Sequence, residues 1–167
     1  MSVTIRPRRG EDIPALATIL VRVYERDGYP VEGVAHPEGW LRHDHELQSW
    51  TALEGTMPIG QITLTRATAC DDAARAWHDH TGGEVAGLAI PSRLFVDSDH
   101  RGSGAGRLLM ETTIRCAQAR QLAVAFDVML KDRGAIRLYE RLGARRISTI
   151  THRYGDGQSQ IAAVFSI

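Results

Sequence analysis

Three glycines at alternate positions, Gly102, Gly104 and Gly106, stand between the apolar run Leu94-Phe95-Val96 and a helix-periodic segment. Glycine lets the backbone turn sharply and lets a ligand approach its N–H groups closely. A helix N-terminus adds unpaired N–H donors and partial positive charge. A strand, a glycine loop and a helix in that order therefore make an anion site, most often for phosphate. A tight turn alone needs one glycine. Three, flanked by Arg101 and Arg107, point to phosphate without saying which phosphate.

The rest of the chain alternates in the same way. Val3-Thr4-Ile5 is a short strand ending at Pro7. Glu11-Asp12 and Pro14 open a helix with Ile13, Leu16, Ala17, Leu20 and Tyr24 on one face. Residues 27 to 39 are turn-rich, and Trp40-Leu41 starts a short helix. Leu47 to Leu53 and Ile59 to Ala67 are strands joined by a hairpin loop over 54–58. Residues 70 to 83 read as an insertion or long loop. Val85 to Val96 is a strand interrupted at Pro91. After the glycines comes a helix of about four turns. A strand over Leu122 to Leu130 follows, then a helix over Ala135 to Leu142 stopped by Gly143. Strands over Ala144 to Tyr154 and Gln160 to Ile167 flank the turn Gly155-Asp156-Gly157. This order predicts an α/β (α+β) fold in which one mixed central sheet is flanked by helices, as a single domain over 1–167.

Composition narrows the partners. Twenty basic and 20 acidic residues cancel, so no global field favours nucleic acid or an anionic membrane, and any anion site is local. Cys70 and Cys116 have no close Cys partner, which gives neither a disulfide framework nor a thiolate metal site. No apolar run reaches membrane-spanning length, and the first residues lack a signal-peptide core, so a cytoplasmic protein is expected.

Two phosphate motifs fail on the residues. A Walker A loop needs Lys and Ser or Thr after its last glycine, where this chain has Arg107 and Leu108. The dinucleotide fingerprint G-x-G-x-x-G fits Gly102 and Gly104 but meets Arg at 107. That fingerprint also opens its fold, and only 61 residues follow Gly106. The stretch from Val96 to Gly106 instead resembles the acyl-CoA loop of the GNAT acyltransferase superfamily, [RQ]-x-x-G-x-[GA] after a strand ending in Val. Arg101, Gly104 and Gly106 match it. A second segment, AIRLYERLGARR over 135–146, resembles the family's A-x-x-[LF]-Y-x-x-x-G-[FA], with Tyr139 and Gly143 on its fixed positions. The resemblance is sharpest from Leu94 to Arg146.

The resemblance implies an acetyl-CoA-dependent N-acetyltransferase, with acetyl-CoA as co-substrate and no metal. CoA pyrophosphate would lie on the N–H groups of Gly102, Ser103, Gly104, Ala105, Gly106 and Arg107, with Arg101 or Arg107 adding charge-assisted bonds. The pantetheine amides would pair with Leu94, Phe95 and Val96 as an added strand does. Tyr139 would supply a proton to the leaving thiolate. The chain departs from the family twice. Asp132 stands where members often place an Asn against CoA, which leaves that contact to Asp132 or Arg133. Ser92 and Arg93 stand where many members carry a strand Glu.

A base must still take the acceptor's proton, since a Lys-like ammonium has a pKa of about 10.4. Glu84, Asp127, His78 and His80 are candidates by type and rough place, and Glu84 is taken as the catalytic one. The tripeptide His-Asp-His occurs at 43–45 and again at 78–80. On strands, both His of each would point the same way, as a metal pair requires, whereas polar loops would carry no metal. The acceptor would be chosen by residues 27 to 45 and 70 to 84. A homodimer is expected by analogy, and the rival reading is a CoA-binding sensor on the same fold without turnover.

Overall fold

In a computed structural model, residues 2–167 are described. Seven strands form one mixed sheet: β1 (Val3–Pro7), β2 (Glu46–Glu54), β3 (Met57–Arg66), β4 (Leu88–Val96), β5 (Ala123–Met129), β6 (Arg145–Tyr154) and β7 (Gln158–Ser166). Their spatial order is β1-β2-β3-β4-β5-β7-β6. β1–β2, β2–β3, β5–β7 and β7–β6 run antiparallel, while β4 and β5 run parallel. The helices are α1 (Ile13–Asp27), α2 (Pro37–Trp40), α3 (Asp72–Thr81), α4 (Ala105–Ala119) and α5 (Arg133–Arg141). The chain divides into two compact units, one of residues up to Thr65 with Ser92–Thr113, the other of Arg66–Pro91 with Ile114–Ile167.

In the first unit, α1 opens with Pro14 in its first turn and closes on Gly28 in the left-handed region (φ 68°), whose N–H donates to Tyr24 O at 2.8 Å. Ile13, Leu16, Ala17, Ile19, Leu20 and Val23 are buried in a cluster with Leu41 and Phe95. The predicted face put Tyr24 there, but Tyr24 is exposed and Val23 takes its place. Each i+4 step drifts about 40° around a helix, so two in succession from Leu16 leave the stripe, and the i+3 step to Val23 corrects the drift. The β2–β3 hairpin turns on Gly55 (φ 63°) and is shorter than the 54–58 loop expected.

Asp12 ties the first strand to this layer. It ends a 3-10 turn over Gly10–Asp12 that runs directly into α1, whose N-cap position it holds, and it is buried. Arg6 donates to both of its oxygens at 2.7 and 2.8 Å, the Arg9 N–H donates at 2.8 Å, and Thr51 Oγ1 donates at 2.9 Å. Burial pushes its pKa up, but the Arg6, Arg9 and Thr51 hydrogen bonds outweigh this and hold it at about 2, against an ordinary 3.8.

In the second unit, β6 and β7 form a long hairpin around Gly155 and Gly157, both at positive φ. Phe126, Phe165, Val124 and Ala162–Val164 fill its core. The segment read as a loop over 70–83 contains α3, with Ala73 and Ala74 buried. Alanine's helix propensity and the left-handed Gly82 at its end (φ 72°) make it a capped helix, and the many polar residues are its solvent face.

Because Asp12 is ionised more easily folded than unfolded, its contribution to stability is complete above about pH 4 and is lost as pH falls toward 2. We expect Asp12→Asn to cost on the order of 2 kcal/mol at neutral pH. That difference from the wild-type protein should shrink between pH 4 and pH 2, measured by urea unfolding of both proteins across that range.

Candidate active site

β4 runs through Pro91 without a break, and its irregularity falls at Arg93, whose φ is 53°. That value is unusual for a non-glycine residue. Gln61, fully buried on β3, donates from Nε2 to the Arg93 carbonyl at 2.8 Å. Arg8 Nη1 in turn donates to Gln61 Oε1 at 2.7 Å and to Leu41 O at 2.8 Å, while Nη2 meets Glu46 at 3.1 Å. One residue earlier, Gly60 lets β3 and β4 close up. A Cβ on Gly60 would stand 2.5 Å from Phe95 O and 3.1 Å from Val96 Cα. The register between β4 and β5 pairs Leu88 with Ala123 and Ala89 with Val124, so Leu94, Phe95 and Val96 lie beyond that stretch.

The loop after β4 starts with Asp97, which is buried. Its N–H donates to Ile59 O at 2.7 Å, and its carboxylate receives Arg22 of α1 at 2.5 Å. A 3-10 turn over Ser98–His100 follows, with His100 Nε2 lying 3.4 Å from Glu54. Gly102 (φ 80°) and Gly104 (φ 86°) are both left-handed and exposed, and nothing lies within 4 Å of a Cβ built on either. The chain then enters α4 at Ala105, which is buried, with Gly106 half-buried in the first turn. Ala105 N–H donates to Ser103 Oγ at 3.3 Å. Arg101 pairs with Asp27 at the end of α1, and Arg107 Nε pairs with Glu111 one turn on at 2.7 Å. Leu94–Val96 and Arg101–Arg107 thus share the first unit, as one strand and the loop that leaves it.

The other predicted residues belong to the second unit. Tyr139 on α5 is buried, its ring edge-on to Phe126 at 4.6 Å and tilted against Phe165 at 6.3 Å. Burial raises its pKa above the ordinary phenol value, and Asp132 and Asp127 push it the same way. The phenol therefore keeps its proton throughout the physiological range. Asp132 immediately precedes α5 without a side-chain capping bond, and Arg133 is the helix's exposed first residue. Glu84 is exposed ahead of a 3-10 turn over Val85–Gly87. Asp127, on β5, has its carboxyl pKa raised by burial, with His152 opposing.

The His tripeptides do not have the strand geometry a metal pair requires. His78 and His80 are exposed on α3, where two residues apart means about 200° apart. The chain turns at His43-Asp44-His45, and the His45 N–H donates to His43 Nδ1 at 3.0 Å. No group of three or more His, Cys, Asp or Glu among the described residues is placed to hold a metal ion. No helix among them is long and apolar enough to cross a membrane.

Sequence reasoning passed over one group in the first unit. The Arg93 guanidinium lies over the Trp40 ring, 5.1 Å from its centroid, and Trp40 packs against Phe95 at 6.3 Å and Tyr29 at 5.9 Å. Burial lowers the Arg93 pKa, partly offset by Tyr29, Glu32 and Glu46. Arg93 Nε and Ser92 Oγ are buried and have no hydrogen-bond partner among the described residues. The one available signal was an arginine inside the apolar run from Leu88 to Val96.

The model of the Acetyltransferase (GNAT) family matches residues 13–144. No curated protein matches the chain. Among solved structures, an N-acetyltransferase from Staphylococcus aureus Mu50 is 17% identical, with a TM-score of 0.74 over 100% of this chain and 98% of that one. Arabidopsis thaliana NAA60 in complex with acetyl-CoA is 19% identical, with a TM-score of 0.73 over 99% and 98%. The yncA protein of Salmonella typhimurium, solved with its cofactor acetyl-CoA, is 16% identical, with a TM-score of 0.73 over 100% and 94%.

The close approach at Gly60 generates a stability prediction. Gly60→Ala should cost about 1–3 kcal/mol, because backbone is in the way and cannot swing aside. Gly134→Ala, in α5 with nothing within 4 Å, should be neutral or stabilising. Urea midpoints of the two variants make the comparison.

Proposed function

The chain belongs to the GNAT acetyltransferase family and is an acyltransferase with acetyl-CoA as its co-substrate, and on that premise we propose that it transfers the acetyl group to a primary amine of a small acceptor by direct attack. The observation that supports this best is the loop at the head of α4. Two left-handed glycines there leave the backbone uncovered on the side where any other residue would place a Cβ. In this reading the pyrophosphate rests on the N–H groups of residues 102 to 107. Arg101 or Arg107 adds a charge-assisted bond by turning from its present carboxylate partner. The pantetheine amides pair with the backbone of Leu94, Phe95 and Val96.

The chemistry needs a C–N bond made and a C–S bond broken. The unprotonated amine attacks the thioester carbonyl, and the tetrahedral oxyanion is held by N–H groups at the end of β4. Collapse expels CoA thiolate, and the ammonium proton leaves to a base, for which Glu84 and Asp127 are the candidates. Tyr139 carries a proton at working pH and donates it, or a hydrogen bond, to the departing sulfur. Asp132 and Arg133 are assigned to CoA by their positions at the start of α5. The cytoplasm and a homodimer complete the reading, the latter because β6 is an outer strand of the sheet.

Two variants test it. Gly104→Val places a branched Cβ where phosphate should approach and should weaken CoA binding at least tenfold in a calorimetric titration. No neighbour lies within 4 Å, so the effects of the variant are confined to the left-handed backbone at φ 86° and to the approach of phosphate, and a melting temperature near the wild-type value separates the second from unfolding. Unchanged affinity in the folded variant would remove the loop from the site. Tyr139→Phe keeps the ring against Phe126 and should lower turnover by roughly 10²-fold, with CoA affinity within a few-fold of the wild-type value. A variant that loses melting temperature but keeps its rate assigns the hydroxyl to structure alone.

A further inference from the structure

We infer that the acceptor amine also carries a carboxylate, and that Arg93 is the group that binds it. This inference names the substrate class of the acetyltransferase reading above and rests on it. Six other arginines of the first unit have carboxylate partners: Arg6 meets Asp12, Arg8 meets Glu46, Arg9 meets Glu11, Arg22 meets Asp97, Arg101 meets Asp27, and Arg107 meets Glu111; Arg26 and Arg42, which enter no ion pair among the described residues, are exposed, whereas Arg93 is half-buried. Arg93 enters no ion pair among the described residues, although Glu32 and Glu46 are near enough to act on it through space. Its Nε is buried without a partner, and so is the hydroxyl of Ser92 beside it. A buried donor left unsatisfied costs about 1–3 kcal/mol, more when charged, and a bound carboxylate would supply the acceptor that Arg93 lacks.

The geometry holds this side chain in place. The left-handed backbone at Arg93 is fixed by the Gln61 hydrogen bond to its carbonyl, and Gln61 is fixed by Arg8. The guanidinium carbon stands over the Trp40 ring, 5.1 Å from its centroid, a cation–π contact that uses none of the N–H donors. A guanidinium edge presents parallel N–H donors that match the two oxygens of a carboxylate. Arg93 also immediately precedes Leu94–Val96, the strand assigned to pantetheine. A small amine held by its carboxylate at Arg93 is therefore anchored next to the backbone that carries the thioester. The acceptor class that meets both demands is a free amino acid or a close analogue. A peptide N-terminus has its carboxylate elsewhere.

The experiment compares matched pairs of acceptors on the wild-type enzyme: free amino acids and their C-terminal amides, with acetyl-CoA fixed and thiol release as the readout. The amide's amine is the weaker base and is more deprotonated at neutral pH, so basicity alone favours the amide. We expect the acid to win by about 10- to 100-fold in kcat/KM, the range of a charge-assisted bond. Arg93→Gln should bring the acid-to-amide ratio within a few-fold of one, mainly through KM for the acid, and Arg93→Lys should recover part of the preference. The ratio is independent of how much of a variant is folded. Equal use of acid and amide by the wild-type enzyme, or an unchanged ratio in Arg93→Gln, overturns the carboxylate site and leaves the acetyltransferase reading intact. Transfer to peptide N-termini but not to free amino acids also overturns it. No transfer to any amine overturns both.

Discussion

The seam between β3 and β4 is the constraint on which the first unit turns. Gly60 brings the two backbones together where no side chain fits, and Gln61 follows with a hydrogen bond to the Arg93 carbonyl. The first feature sets how closely β4 lies, and the second holds its reversal at a residue that would otherwise avoid that conformation. Arg8 secures Gln61 and also reaches Leu41 and Glu46, so β1, β2 and the end of α2 are tied to the same point. Everything beyond Arg93, including the strand end and the loop into α4, inherits its direction from there.

Much of this architecture could be read from residue order. The period of α1, the strand-like runs of β2 and β3, and the glycines before α4 each report a local preference that the fold did not override. The loop was legible because glycine is chosen for backbone angles, which is a local matter, and Gly102 and Gly104 do have the positive φ that justified attention to them. The same holds for Gly143, left-handed at φ 88° after α5.

What escaped was long-range or masked by polarity. α3 has so many exposed Asp, His and Arg residues that its apolar face amounts to little more than Ala73, Ala74 and Trp77, too few to show a period. Two histidines two residues apart point together only on a strand, so misreading α3 also gave rise to the metal alternative. The strand irregularity was placed at Pro91 because proline is the visible breaker. It sits at Arg93, and its cause is a glutamine 32 residues earlier in the chain. Nothing local to either residue announces that pairing.

The two ion pairs that join α1 to the loop run in opposite directions. Arg22 on the helix holds Asp97 of the loop, while Asp27 at the helix end holds Arg101 of the loop. Each cation is met by an anion, so these four side chains together leave the loop close to neutral. On the proposed reading, a polyphosphate there is received chiefly by aligned peptide dipoles and N–H groups at close range. In that reading, a chain of zero net charge then holds a polyanion by contacts local to one loop, with no field from the rest of the molecule to draw it in.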